Sequence, residues 1–260
     1  MQLRSKTAFV TGGTSGIGLA TAKAFVEQGA HVVLTGRDRQ RIDAAITIVG
    51  SSCAGFVADA ADDQAMNNAL QQAAERSGGI DVLFANAGHY VHSALGGTTR
   101  AQLQDQLAVV ANTFMTVQQA LPYLRDRASI ILMGSVYATM GPPGAAAYAA
   151  SKAATAAMVR SFASELSPRG IRVNLVVPGA VDTPSWGMEE LEAGVREERK
   201  RLIGERAPLN RMVSAEEVAK AVSFLASDAS SGVQATELVV DNGTTGAMAG
   251  SPRYIRGEPT

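Results

Sequence analysis

Hydrophobic and polar positions alternate along this chain in two periods, almost from end to end. Short apolar runs, as expected of strands buried on both faces, give way to stretches whose apolar residues recur every three or four positions, as on one side of a helix. Strands are predicted at 7–10, 31–34, 53–58, 81–85, 129–133, 171–177 and 237–240. Helices are predicted at 17–28, 38–49, 62–76, 100–111, 113–124, 145–166 and 214–225. Gly29 stops the first helix and Asp38 caps the second. Ser214 and Glu217 form a capping box that turns Val218, Ala221, Val222 and Leu225 inward. Strands alternating with helices predict an α/β fold, a parallel doubly wound sheet covered on both faces, in one domain over 1–260.

Residues 184–212 break the rhythm. The stretch holds no strand signal, and Met188, Leu191, Val195 and Leu202 recur at helical spacing beneath Glu189, Glu190, Glu192, Arg196, Glu197, Glu198, Arg199, Lys200 and Arg201. A solvated surface helix is one reading. A long excursion at the carboxyl end of a parallel strand lies where such sheets bind ligands, so a mobile substrate lid is favoured. A polar tail follows at 246–260.

Composition narrows the class. With 260 residues, 46% hydrophobic and 18% charged, the chain reads as globular. The 23 basic against 24 acidic side chains give no net pull toward nucleic acid or membrane. Cys53, the only cysteine, excludes an internal disulfide and falls in a predicted strand. Neither a signal peptide nor a membrane-length apolar run is present, which leads to the expectation of a soluble cytoplasmic protein.

After the first strand comes Thr11-Gly12-Gly13-Thr14-Ser15-Gly16-Ile17-Gly18, opening into a helix. Glycines permit a tight turn and let backbone N–H groups approach a pyrophosphate at a helix N-terminus. The second strand runs into Thr35-Gly36-Arg37, where an acidic residue would hold the ribose hydroxyl of NAD. An arginine there matches a 2′-phosphate instead, so NADP(H) is favoured over NAD(H). Farther on, Tyr148 and Lys152 lie four apart in an alanine-rich helix, on one face. An ammonium beside a phenol would bring its pKa from roughly 10 toward the working range. Such a spacing also arises by chance, so the surroundings have to decide.

Together these residues resemble the short-chain dehydrogenase/reductase family, over about 6–243. Gly12, Gly16 and Gly18 match its Thr-Gly-x-x-x-Gly-x-Gly, and Asp59, followed by Ala60, matches the aspartate that bonds the adenine. Asn86-Ala87-Gly88 matches its Asn-Ala-Gly. Ser135 fits the catalytic serine, and Asn112, at the junction of two helical stretches, the fourth catalytic residue. Pro178, Gly179, Val181 and Thr183 fit the nicotinamide-side loop. The resemblance implies strand order 3-2-1-4-5-6-7 and a hydride exchanged between a nicotinamide and a carbonyl or alcohol. It implies Tyr148 as general acid, Lys152 lowering the Tyr148 pKa and holding the ribose, Ser135 positioning the carbonyl, and Asn112 anchoring a proton-path water. It also implies a homotetramer, a dimer of dimers. Two departures stand out: Ala85 precedes Asn86 where many members have asparagine, and Asp241-Asn242-Gly243 replaces Asp-Gly-Gly.

The alternatives are an NAD-dependent sugar or alcohol dehydrogenase, a 3-oxoacyl-(acyl-carrier-protein) reductase, and a dinucleotide-sensing protein without catalysis. Three histidines with no partner cluster predict no metal site. His89 and His92, flanking Tyr90, are expected as pocket wall, and Trp186 as either a substrate contact or a wedge.

Overall fold

The computed structural model describes residues 2–188 and 190–257. Strand β1 (Thr7–Val10) is buried along its whole length, because helices cover both faces of the sheet. Next come α1 (Gly16–Glu27), β2 (His31–Gly36), α2 (Arg39–Val49), β3 (Cys53–Val57), α3 (Asp63–Ser77) and β4 (Ile80–Ala85). The chain continues with α4 (Arg100–Ala120), β5 (Leu124–Met133), α5 (Tyr137–Met140), α6 (Ala146–Leu166), β6 (Arg172–Pro178) and β7 (Val181–Asp182). It ends with α7 (Ala193–Gly204), β8 (Val213–Ser214), α8 (Ala215–Ala226), β9 (Glu237–Val240) and α9 (Pro252–Ile255).

Seven parallel strands form one sheet in the order β3-β2-β1-β4-β5-β6-β9. The predicted 3-2-1-4-5-6-7 order is thus observed, β9 being the seventh large-sheet strand. Alternate residues of β1 feed two cores. Ala8 and Val10 face Phe25, Ile42, Val218 and Leu225 of α1, α2 and α8. Phe9 faces Met66, Leu70, Val117 and Phe162 of α3, α4 and α6. Side-chain caps fix where helices begin: Asp38 accepts from the Arg41 N–H, Asp62 from Ala65, and capping boxes join Thr99 to Gln102 and Ser214 to Glu217. Cys53 is buried, and burial pushes its thiol up to about 11.

Three expectations need correction. The predicted helices 100–111 and 113–124 are one helix, α4. The polar residues that suggested a break are satisfied within it: the Thr113 hydroxyl donates to the Val109 carbonyl and that of Thr116 to the Asn112 carbonyl, both at 2.8 Å. Asn112 therefore sits within a continuous helix and not at a junction. Strand β5 starts at Leu124, five residues early, with a register shift opposite Ile80 and Val82. In the 184–212 stretch, Met188 is buried, but Val195 and Leu202 are 46% and 45% exposed. The inner apolar face assumed for α7 is not covered.

Candidate active site

Strand order reverses at β1, whose neighbours are β2 and β4, and loops from both lie beside each other at their carboxyl ends. Thr11 ties them together. Its hydroxyl accepts from the Asn86 and Ala87 N–H groups at 2.9 and 3.0 Å. The Asn86 amide donates back to the Thr11 and Gly12 carbonyls at 3.0 and 3.2 Å. Asn86 thus braces the glycine turn by itself, with Ala85 rather than a second asparagine before it.

The turn itself fits a dinucleotide. Gly12 and Gly16 have φ of +63° and +50°, a region that L side chains rarely adopt. A Cβ on Gly18 would lie 2.2 Å from the Gly12 carbonyl oxygen and 2.7 Å from the Asn86 amide nitrogen. The start of α1 therefore packs so closely on the Gly12 turn that only glycine fits at position 18. Ser15 is the N-cap of α1 yet makes no side-chain capping bond, and no acidic residue occupies the first turn. The N–H groups near Gly16, Ile17 and Gly18 are left for an outside acceptor. Thr14 packs its methyl against Gly36, and Arg37 is exposed beyond it. Among the described residues no carboxylate pairs with Arg37, since Asp38 is committed to capping α2. Asp59 is exposed at the end of β3, where its carboxylate accepts from the Ala61 N–H at 3.0 Å, beside Ala60. On the other side, Thr183 abuts Gly16, Val181 is buried in β7, and Gly179 fits tightly on Asp241 below Pro178.

The chemical end forms where β5 meets α6. Ser135 follows β5 and is buried, and its oxygen accepts from the Tyr137 N–H at 3.2 Å. Tyr148 and Lys152 project from α6, with the ammonium 5.7 Å from the phenol ring centre. Lys152 is buried and donates to the Met133 carbonyl at 2.9 Å, near Gly88. Burial lowers its pKa to about 8.

The expected lowering of Tyr148 by Lys152 is not what this geometry produces. Burial pushes the phenol up; a hydrogen bond with Ser135 draws it down, and the phenols of Tyr137 and Tyr90 raise it further. Lys152 is not among the groups that shift the phenol, and its ammonium is directed at the Met133 carbonyl. Asn112 is on the face of α4 that lines a small void with Thr11, Ala60, Ala85 and Ala87, and among the described residues no hydrogen bond joins its side chain to Lys152.

Several neighbours were not legible in sequence. Tyr90, Tyr137 and Tyr148 form a cluster with ring centres 5.0–6.1 Å apart. His89 pairs with Asp105 at 2.7 Å, away from this cluster, while His92 packs on Gly144 and on the Tyr90 ring. Trp186 is a wedge on one side: its indole N–H donates to the Val181 carbonyl at 2.7 Å, and the residue remains 37% exposed. Asn242 has a φ of +54°, which asparagine tolerates, and its amide donates to the Arg211 carbonyl at 3.0 Å. Among the described residues no cluster of His, Cys, Asp or Glu is arranged to hold a metal, and no helix is long and apolar enough to cross a membrane.

A family model described as enoyl-(acyl carrier protein) reductase matches residues 12–245. The chain is 38% identical to an oxidoreductase of Sarocladium schorii, over 93% of this chain and 96% of that one. It is 33% identical to the 3-oxoacyl-[acyl-carrier-protein] reductase of Thermotoga maritima, over 94% and 99%. A crystal structure from Brucella melitensis, titled a short-chain dehydrogenase/reductase and glucose/ribitol dehydrogenase, superimposes with a TM-score of 0.86 at 32% identity, covering 94% of this chain and 98% of that one. Together with the sheet order and the glycine turn, these matches make this chain an oxidoreductase of the short-chain dehydrogenase/reductase family.

Proposed function

We propose that the chain is an NADP(H)-dependent oxidoreductase that interconverts a carbonyl compound and its secondary alcohol. The observation that carries this is the convergence of Ser135, Tyr148 and Lys152 beside Gly88, next to the braced glycine turn. The bound nicotinamide would supply or accept the hydride. Tyr148, whose proton burial retains, gives that proton to the substrate oxygen in reduction. Ser135 holds the same oxygen by a hydrogen bond. Lys152 supplies positive charge beneath the phenol and a donor for the nicotinamide ribose. Asn112 is assigned the proton path from Lys152 to solvent. Gly12, Gly16 and Gly18 hold the pyrophosphate, Asp59 the adenine, and Gly179 and Thr183 the nicotinamide side.

The preference for NADP(H) rests on Arg37, exposed and unpaired where NAD binders carry an acid. Replacing Arg37 by Ala should weaken NADPH at least tenfold, since a charge-assisted bidentate contact is lost, and leave NADH within about threefold. Equal losses would remove the phosphate assignment. Residues 184–212 are assigned as a substrate lid. Its ends are tied by the β7–β8 pair, Val181 to Val213 and Asp182 to Ser214, and Lys200 holds α7 to Asp182 at 2.7 Å. Leu103, Leu107 and Phe114 are exposed on α4, and Phe114 touches Phe162 of α6. This apolar surface supports a homotetramer built through α4 and α6, which sedimentation tests.

A second reading, reduction of a ketone carried on acyl carrier protein, is favoured by the name of the Thermotoga maritima relative. Turnover with NADPH and with NADH over free ketones, aldehydes, sugars and an acyl-carrier-linked ketone separates the two. Faster turnover of the carrier-linked ketone would establish the second.

A further inference from the structure

Tyr90 is 42% exposed and lies on the loop after β4, yet it is not loose. Gln106, on α4 and fully buried, holds that loop on both sides of the tyrosine. Its amide nitrogen donates to the His89 carbonyl at 3.0 Å, and its amide oxygen accepts from the Val91 N–H at 3.0 Å. The loop is closed farther on by the Ser93 N–H donating to the Gly144 carbonyl at 2.9 Å. A buried glutamine spent on two backbone bonds of a surface loop fixes the exposed ring between them.

The ring it fixes points at the chemistry. Tyr90 and Tyr148 are 5.0 Å apart at 74°, Tyr137 and Tyr148 6.0 Å at 89°, and Tyr90 and Tyr137 6.1 Å at 80°. Three rings, each nearly perpendicular to the others, make an open corner with the reacting phenol as one wall. Among the described residues, the histidine on a ring of this cluster is His92, 6.5 Å from Tyr90. The nearby acid, Asp105, is paired with His89. A corner of this kind offers edges and faces to a further ring, while the Lys152 ammonium, 5.7 Å from the Tyr148 ring centre, is buried and bonded to the Met133 carbonyl.

We propose that Tyr90 and Tyr137 form an aromatic wall that selects a ring-bearing, uncharged ketone or its alcohol, and that Gln106 is the positioning residue holding this wall against Tyr148. The inference rests on the oxidoreductase reading of the same site. Aromatic contacts of this size change kcat/KM by about threefold to tenfold each.

The test compares acetophenone, cyclohexyl methyl ketone and 2-octanone, which share a carbon count and differ in the ring, with NADPH as donor. The expected result is that wild type prefers acetophenone. Tyr90→Ala and Gln106→Leu should each lower kcat/KM for acetophenone about tenfold, mostly through KM, and at least about threefold more than for 2-octanone. Tyr90→Phe should restore the preference, because the ring remains. NADPH affinity, titrated by fluorescence, should be unchanged in Tyr90→Ala. Equal losses on the ring and chain ketones, or an unaltered acetophenone KM in Tyr90→Ala, would overturn the wall. Turnover confined to sugars or carrier-linked ketones would also overturn it while sparing the oxidoreductase reading. No turnover of any carbonyl compound by wild type would remove that reading and this inference with it. If Gln106→Leu fails to fold, Tyr90→Ala on the exposed loop decides alone.

Discussion

Lys152 is costly to the fold, and its cost has a pH signature. The side chain is 5% exposed, lies among apolar neighbours and bonds only the Met133 carbonyl among the described residues. Burial lowers its pKa from 10.5 to about 8. At 1.36 kcal/mol per pH unit, that difference corresponds to roughly 3 kcal/mol against folding wherever the amine is protonated in both states. Below about pH 8 the folded protein bears the whole cost. Between about 8 and 10.5 the unfolded chain keeps the proton that the folded chain has released, so stability rises with pH. Lys152→Met keeps the stem and removes the charge. It leaves the Met133 carbonyl without its donor, worth about 1 kcal/mol. The variant should thus be more stable than wild type by about 2 kcal/mol at pH 7, with the gain gone by about pH 10. Urea unfolding of both proteins without cofactor, from pH 6 to 10, measures this directly, other groups cancelling in the difference. A stability difference that does not change with pH would refute the reasoning, and so would a variant less stable at pH 7.

Two further perturbations test the scaffold of the site. Gly18→Ala places a Cβ 2.2 Å from the Gly12 carbonyl oxygen, so it should cost about 2 kcal/mol and weaken NADPH binding at least tenfold; thermal melting and fluorescence titration check both. Glu205, the C-cap of α7, is gripped by Arg201 and Arg256, and its carbonyl accepts from the Arg253 N–H at 3.3 Å. Its side chain is only 9% exposed, though both guanidinium groups are about half exposed. Glu205→Ala should therefore cost about 2 kcal/mol and speed proteolysis between residues 246 and 257; unchanged cleavage would show that α7 does not hold the C-terminal segment.

Much of this was written in the sequence because local and global signals agree. Buried parallel strands leave continuous apolar runs, and Asp38, Asp62 and Ser214 mark helix starts by a mechanism that operates within three residues. The glycine turn was legible for the same reason: its meaning depends on one strand and one helix adjoining it. What was hidden depends on distance in sequence. Asn112 and Thr113 read as a break because the i−4 carbonyls that satisfy Thr113 and Thr116 are invisible to propensity. The Tyr148–Lys152 spacing suggested a lowered phenol, whereas burial and two tyrosines, Tyr90 from the loop after β4 and Tyr137 from α5, reverse the direction. No sequence signal singles out Gln106; only the fold shows that it holds the loop of Tyr90.

The central claim is that Tyr148 hands over the proton while other residues hold the cofactor. Tyr148→Phe keeps the ring and removes the hydroxyl. NADPH affinity measured by fluorescence titration should stay within about threefold of wild type, while turnover of the best ketone falls by about 10² to 10⁴. Turnover near the wild-type value in that variant, with NADPH still bound, would contradict the account.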